Sequence, residues 1–499
     1  MVRFTPFIYN LKEADFLRKS VTTFNQPKQQ LQHFLTRVKD ISCTPEFATL
    51  LLLVFIATTL RFFFAFLFRS LFGDPLPFHL LGLDTECFAD FYYYYSLWVP
   101  GLWDGTWYPY TTAEGSPSSL IYTTINLPWG EWVISFGEDV PENYYFMTPG
   151  FLYFLLPFGH PLFSTQLMSI PLILTDSLTI IPIYLIIKEL GKNDRLALYG
   201  ALLYLFSPLN IFYLGVIWLS TGPVVFLLMW SLYFLVHQNY RAANFCFALT
   251  VMTKQISLFF LFPFYVLLLL KFDWKTVSKR FIEFSLVCFI LSLPYILLTP
   301  IDYLLHVWGP QPLPSAQGYT ELPSGNAPVN FQHSLLALNF DSLFGGILYQ
   351  LLAFLFSTYI MLIGSILLVS AILVYYYKKD QLTELNICYV FCLYGLTFHT
   401  FFVRGIYKYY LPLLTPLVII TGIFLLQHFL DKKNLNQRKD KVNLWTIFSF
   451  IGLAILFIAL GIFFIIVPKN LGPFLLFVFI LFIGSLIFVK NLPTLPKRV

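Results

Sequence analysis

The sequence predicts an all-α polytopic membrane protein, and three observations carry that prediction. The first is composition. Of the 499 residues, 58% are hydrophobic and 11% charged, and the mean hydropathy is +0.71. Soluble domains carry roughly 25% charged residues, so a water-soluble chain of this composition would have too little polar surface to cover itself. The second is run length. Apolar runs near or above about 18 residues recur, each long enough to cross about 30 Å of hydrocarbon as a helix. Uninterrupted runs such as Leu471–Val489 exclude a β-barrel, whose strands alternate over segments of about 10 residues. The third is charge placement. Dense Lys/Arg clusters recur between the runs, as cytoplasmic loops require.

The net charge of +5 follows from such loops and calls for no nucleic-acid partner. The six cysteines (Cys43, Cys87, Cys246, Cys288, Cys388, Cys392) are scattered and form no disulfide framework. Cys388 and Cys392 lie four apart on an expected helix and read as small core residues. No Cys/His group has zinc spacing, so neither a metal nor a cofactor is expected. Lys12, Arg18, Lys19, Lys28, Arg37 and Lys39 precede any long apolar run. Residues 1–45 therefore lack the early apolar region of a cleavable signal and read as a basic cytoplasmic segment.

Basic residues mark the inner side of the membrane and thread the chain. A first span over about Phe47–Phe68 leads to residues 71–145, which hold Asp74, Asp84, Glu86, Asp90, Asp104, Glu114, Glu131, Glu138, Asp139 and Glu142 and no Lys or Arg. A loop of that charge belongs outside. The chain returns over about Pro161–Ile187 to Lys188, Lys192 and Arg195, leaves over Leu196–Tyr213, and returns over Thr221–Val236 to His237 and Arg241. Between Arg241 and Lys271 lie 29 residues with both ends inside, which a single span cannot satisfy. A hairpin of two short helices, or a re-entrant pair, is expected there, with Lys254 and Gln255 at its outer tip. Such breaks are tolerated at membrane depth where protein or water surrounds them.

Lys271, Lys275, Lys279 and Arg280 mark the inside again, and Phe281–Leu298 leads out to a second external loop at 300–340. Gly345–Tyr377 returns to Lys378 and Lys379, Leu385–Phe402 leads out to Arg404 and Lys408, and Tyr410–Leu430 returns to a basic loop at 431–442. Leu444–Val467 and Leu471–Val489 form a last hairpin. The count is about twelve spans with both termini inside. The chain so divides into the cytoplasmic segment 1–45, a transmembrane domain over 46–430, the loop 431–442 and a C-terminal transmembrane hairpin over 443–499.

Arg404, Lys408 and Lys254 break the charge rule: they are basic yet fall outside, close to the membrane surface. A charge at that depth costs several kcal/mol unless paired or hydrated and marks a functional candidate; the alternative is snorkelling to lipid headgroups. In the first external loop, Asp84 and Asp90 precede an aromatic run that includes Tyr93 and Tyr94 and then Asp104-Gly-Thr-Trp-Tyr-Pro-Tyr, with Trp107 and Tyr110. A carboxylate can take a proton from a sugar hydroxyl, and aromatic faces stack on sugar C–H surfaces. The alternative is an interfacial aromatic belt with solvated acids.

Asp90-Phe-Tyr-Tyr-Tyr-Tyr-Ser followed by Gly105-Thr-Trp-Tyr-Pro-Tyr110 resembles the first external loop of the clan C (GT-C) glycosyltransferases, polytopic enzymes that use polyprenyl- or dolichyl-phosphate sugars. Further similar segments follow in order. Tyr145-Phe-Met-Thr-Pro-Gly-Phe-Leu-Tyr153 resembles the Tyr-Pro-Pro segment, with Thr148 where the first Pro is usual; Asp176 resembles an intramembrane aspartate; Ser207-Pro-Leu-Asn210 resembles a proline turn. Thr253-Lys-Gln-Ile-Ser through Pro263 resembles a Lys-Gln-to-Pro stretch, and His399 through Arg404-Gly-Ile-Tyr-Lys-Tyr-Tyr-Leu-Pro412 resembles a late His/Arg-Tyr-Leu-Pro segment. The oligosaccharyltransferase branch is not indicated, since neither a Trp-Trp-Asp-Tyr-Gly motif nor a clear Asp-x-Asp is present.

The resemblance, over residues 46–430, implies transfer of a hexose, mannose or glucose, from a polyprenyl- or dolichyl-phosphate sugar to a lipid-linked glycan, glycolipid or protein acceptor. It implies Asp90 as the general base, with Asp84 second, and Arg404, Lys408 and Lys254 against the donor phosphate. Tyr93, Tyr94, Trp107, Tyr110, Gln255 and His399 are the implied substrate contacts, while Asp176 reads as capping or pairing inside the bundle. The membrane would be the plasma membrane of a prokaryote or the endoplasmic reticulum of a eukaryote. The rival class is a transporter or lipid flippase, in which Arg61, Asp176 and Lys254 would line a pathway. Against it stand the lack of repeated halves and the long acidic, aromatic loop. A non-catalytic assembly scaffold would leave the Asp/Lys/Arg convergence without a reason.

Overall fold

In the computed structural model of the protein, the described residues are 45–73, short stretches between 76 and 135, 147–298, 300–304, 331–339, 358–401, 408–434, 444–468 and 471–488, with a few single positions between them. The chain falls into two units, Met1–Ile56 and Ala57–Val499. The first is described only from Pro45, where it opens helix α1 (Pro45–Phe72).

Five helical stretches are long and apolar enough to cross a membrane: Pro45–Phe72, Thr165–Gly191, Trp274–Leu298, Ile360–Lys378 and Ile447–Ile466. A sixth follows if Asp194–Leu205 and Pro208–Val216, which meet at 41°, form one span. The protein is thus a helical membrane protein. The all-α expectation needs one correction: two short antiparallel hairpins lie in the 71–145 segment. One pairs β1 (His79–Leu80) with β2 (Leu83–Asp84), and the other pairs β3 (Tyr122–Leu127) with β4 (Gly130–Ser135). The second is legible afterwards in its β-branched and aromatic residues, Tyr-Thr-Thr-Ile facing Trp-Val-Ile across a two-residue connection. Between the hairpins lies the short helix α2 (Ser96–Asp104).

Helix α3 (Gly150–Leu155) enters the described core, and α4 (Ser169–Leu178) runs into α5 (Ile180–Gly191). Lys192 turns the chain at φ 49°, and Asn193 accepts from the amides of Arg195 and Leu196 to cap α6 (Asp194–Leu205). Pro208 then begins a new turn whose cap is Ser207, and a π-helical turn over Ile211–Val216 completes the bend. Helix α7 (Thr221–Val236) follows.

The interval read as a hairpin folds as one. Helix α8 (Tyr240–Thr253) stops at Lys254, whose backbone is extended (φ −157°, ψ 121°); a 3₁₀ turn over Gln255–Phe260 leads into α9 (Leu261–Lys271). The two arms run antiparallel. At the feet, Lys271 Nζ donates to Tyr240 Oη (3.0 Å) and the Tyr240 and Phe272 rings lie 4.8 Å apart. Further up, Tyr265 Oη donates to Asn244 Oδ1 (2.9 Å) and Phe247 stacks on Phe264 at 5.2 Å. Both feet therefore share one end and Lys254 stands at the other.

Asp273 starts α10 (Trp274–Leu298) seven residues before the expected position, because its carboxylate accepts from the Thr276 hydroxyl (2.6 Å) and amide (3.3 Å). Those bonds hold the Asp273 carboxyl below the usual range. The chain continues through α11 (Phe331–Ala337), α12 (Thr358–Lys378), α13 (Glu384–Thr400), α14 (Thr415–Asn434), α15 (Leu444–Ile466) and α16 (Gly472–Phe488). The most completely buried of these is α13, with every residue from Leu385 to Thr400 buried. Cys388 and Cys392 are buried there as free thiols, as their spacing implied.

Candidate functional site

The hairpin tip is where one basic exception of the sequence, Lys254, meets the rest of the fold. Lys254 is 6% exposed. Its Nζ donates to Ser220 Oγ (2.9 Å) and sits 4.9 Å from the centroid of the Tyr410 ring. The same ring meets His399, 3% exposed, edge-on at 5.8 Å. Tyr410 thus stands between a lysine from the α8–α9 tip and a histidine from the end of α13. Gln255 opens the 3₁₀ turn beside Lys254, and Phe259 of that turn stacks on Phe398 at 4.0 Å, fixing the tip against α13. Sequence reasoning singled out Lys254, Gln255 and His399; Ser220 and the linking role of Tyr410 emerge only from the fold.

The Met147–Gly150 segment packs on the same tip. Thr148 Oγ1 donates to Val251 O (3.0 Å), and a β-carbon at Gly150 would stand 2.4 Å from Met252 O. Thr148 so makes a hydrogen bond that a Pro at this position could not. Beyond it lies an aromatic cluster: Phe91 meets Trp218 at 4.8 Å, and Tyr95 meets Phe151 at 4.8 Å. Phe91, next to Asp90 in the chain, is fully buried. Asp90, Tyr93, Tyr94, Trp107, Tyr110 and Arg404 lie outside the described residues, and of Asp84 only the backbone, opposite His79 in the first hairpin, is described.

Lys408 is placed differently from Lys254. It is 5% exposed and its Nζ donates to Ile465 O (3.2 Å), one of the last carbonyls of α15. A helix end leaves such carbonyls without intrahelical partners and favours a cation there. That contact gives Lys408 a capping role beside whatever it does toward a ligand.

Arg69, in the last turn of α1, was missed. Its guanidinium lies 3.3 Å over the Trp218 ring, and Nη1 donates to Val216 O (2.9 Å) and Ala65 O (3.1 Å). The signal existed: Arg69 is a basic residue at the outer end of the first expected span, the same violation that marked Lys254. Trp218 itself has φ 63°, a left-handed conformation that for a bulky residue costs on the order of 1–3 kcal/mol.

Asp176 pairs inside the bundle, as expected. It forms an ion pair with Arg61 Nε, and it accepts from Tyr204 Oη (2.5 Å) and Asn210 Nδ2 (3.3 Å). Both charges are wholly buried. They satisfy each other across α1 and α4. No protein-family model matches the chain, and no curated protein sequence does.

Proposed function

We propose that this protein is a GT-C-type membrane glycosyltransferase. It moves a hexose, mannose or glucose, from a polyprenyl- or dolichyl-phosphate sugar to a lipid-linked glycan, glycolipid or protein acceptor on the outer or lumenal face. The observation that supports this reading is the convergence of Lys254 and His399, both chosen from the sequence, on Tyr410, with Ser220 holding Lys254 at the hairpin tip and Gln255 next to it in the chain.

The reading includes about twelve spans with both termini inside. An α8 of 14 residues rises about 21 Å, short of about 30 Å of hydrocarbon. With its feet at the inner surface, the tip lies beneath the outer one. A lysine set against a hydroxyl and an aromatic face is suited to an anion arriving at headgroup level. Asp90, or Asp84 after it, removes the proton from the acceptor hydroxyl. That oxygen attacks the anomeric carbon as the bond to the lipid phosphate breaks. The sugar inverts and the lipid phosphate leaves with the electron pair toward Lys254, Arg404 and Lys408. Tyr93, Tyr94, Trp107 and Tyr110 supply stacking faces. No metal enters this scheme.

The test is transfer in membranes against a panel of polyprenyl-phosphate sugars, with donor affinity and product measured separately. Asp90→Asn is expected to keep donor affinity and lose about 10²–10⁴ in transfer rate, the usual cost of removing a general base. Full transfer by Asp90→Asn would move the base to Asp84; dispensability of both, with a sugar or lipid still crossing the membrane, would end the transferase reading.

A further inference from the structure

The start of α7 combines features that helix formation does not account for, and two of its buried polar groups have no hydrogen-bond partner among the described residues. Ser220 occupies the cap position, yet its side chain caps nothing in its own helix and accepts instead from Lys254 Nζ. The first turn of α7 thus has no side-chain acceptor, although the Gly222 amide donates to Leu219 O (3.5 Å), and this is the end where the helix dipole is positive. Thr221, the first helical residue, is wholly buried, and its hydroxyl has no hydrogen-bond partner. Trp218, 5% exposed, has a buried indole N–H that is also unpartnered. Buried polar groups are nearly always paired, so each exception needs an account. Here two exceptions fall within four residues of one another, flanking the residue that holds the buried lysine.

The indole cannot offer a free stacking face, because Arg69 covers the ring at 3.3 Å and Phe91 approaches at 4.8 Å. Its remaining chemistry is the N–H at the ring edge. The left-handed backbone at Trp218 sets that edge in place, and strain of this kind persists where the surroundings over-determine a conformation. A donor N–H, a hydroxyl, a helix N-terminus and an ammonium group together form the recognition set for an oxyanion.

We propose that residues 218–221 form an oxyanion seat that receives phosphoryl oxygens of the lipid-linked donor, with Trp218 Nε1–H and Thr221 Oγ–H donating and Lys254, held by Ser220, as the cation. This rests on the donor reading given above and adds Trp218, Thr221 and the uncapped end of α7 to it. Two sources of the oxygen are distinguished by the probe: the phosphate itself, or a hydroxyl of the sugar it carries.

The experiment measures binding of polyprenol, polyprenyl phosphate, polyprenyl-phosphate mannose and inorganic phosphate to the full-length protein in detergent. It compares wild type, Trp218→Phe, Thr221→Val and Lys254→Met, with thermal stability read in parallel. Benzothienylalanine incorporated at 218 serves as a second variant that keeps the bicyclic shape and lacks the N–H. Thr221→Val and benzothienylalanine at 218 remove unpartnered groups at nearly constant shape, so the ligand-free protein is expected to melt no lower than wild type; Trp218→Phe also loses ring area packed against Arg69 and Phe91 and is expected to melt lower. Each is expected to weaken polyprenyl-phosphate binding roughly ten-fold, the order of one hydrogen bond to a charged group, with Lys254→Met weaker still and polyprenol unaffected. Weakening seen only with polyprenyl-phosphate mannose would place a sugar hydroxyl, not the phosphate, in the seat and overturn the phosphoryl assignment. Unchanged affinity in the 218 and 221 variants, with wild type still binding donor, would overturn the seat and leave the donor reading intact. Wild type binding none of the phosphorylated probes would end the donor reading and this inference together.

Discussion

Arg61 and Asp176 show what a single residue position does in this fold. Arg61 sits near the middle of a 28-residue apolar helix, and Asp176 lies 115 residues away in another. Neither charge is tolerable alone in such surroundings, and each makes the other tolerable, with Tyr204 and Asn210 taking up the carboxylate's second oxygen. Asp176→Asn leaves a buried guanidinium without its counter-ion. We expect it to destabilise the protein by about 3–5 kcal/mol, as broken buried pairs do, measured as a lower melting temperature in detergent. Arg61→Met combined with Asp176→Leu is expected to recover much of that loss, because it removes both charges together. Equal melting temperatures for Asp176→Asn and wild type would mean the pair contributes nothing. At the same scale, Lys254 and Lys408 are both buried lysines with different surroundings: one faces a hydroxyl and an aromatic ring, the other a helix C-terminus. Charge placement along the sequence marked both alike; the distinction needed the partners.

Among the elements, the α8–α9 hairpin was the most legible. Two basic ends separated by 29 residues read most simply as a hairpin of short helices or a re-entrant pair, and the break falls at Lys254, where it was expected. What holds the tip was not legible, because it comes from segments far along the chain. Thr148 bonds Val251 O, and the Gly150 backbone lies so close to Met252 that there is no room for a β-carbon. Gly150→Ala would bring that carbon to 2.4 Å from a backbone oxygen, which a rotamer change cannot relieve. Overpacking of this kind costs about 1–3 kcal/mol. We expect Gly150→Ala to lower stability and to shift the tip, seen as weaker donor binding, whereas Gly364→Ala, where a β-carbon meets nothing within 4 Å, should be silent in both measurements. Similar behaviour of the two alanines would show that the close approach does not matter. The β3–β4 hairpin was missed for a physical reason: an external loop of a membrane protein is read for charge, and charge says nothing about strand pairing.

Across the whole molecule, sidedness is the property most open to test. Residues 71–145 and 300–340 are expected outside, and 1–45, 271–280 and 431–442 inside, from the distribution of Lys and Arg. Cysteine-accessibility labelling of single introduced cysteines checks this directly. Labelling that placed 271–280 on the same side as 71–145 would invert the threading and remove Lys254 from the outer face. Sequence by itself determined the helical membrane class and the break at Lys254, because each depends on local apolar length and charge, which the bilayer reads segment by segment. Tertiary structure alone decided that Arg61 is the partner of Asp176, that Tyr410 joins Lys254 to His399, and that Ser220 serves a lysine instead of its own helix. Apart from the His399–Tyr410 contact, those facts join residues from 34 to 156 positions apart, and such pairings are set by how helices pack side by side, which no window of sequence contains.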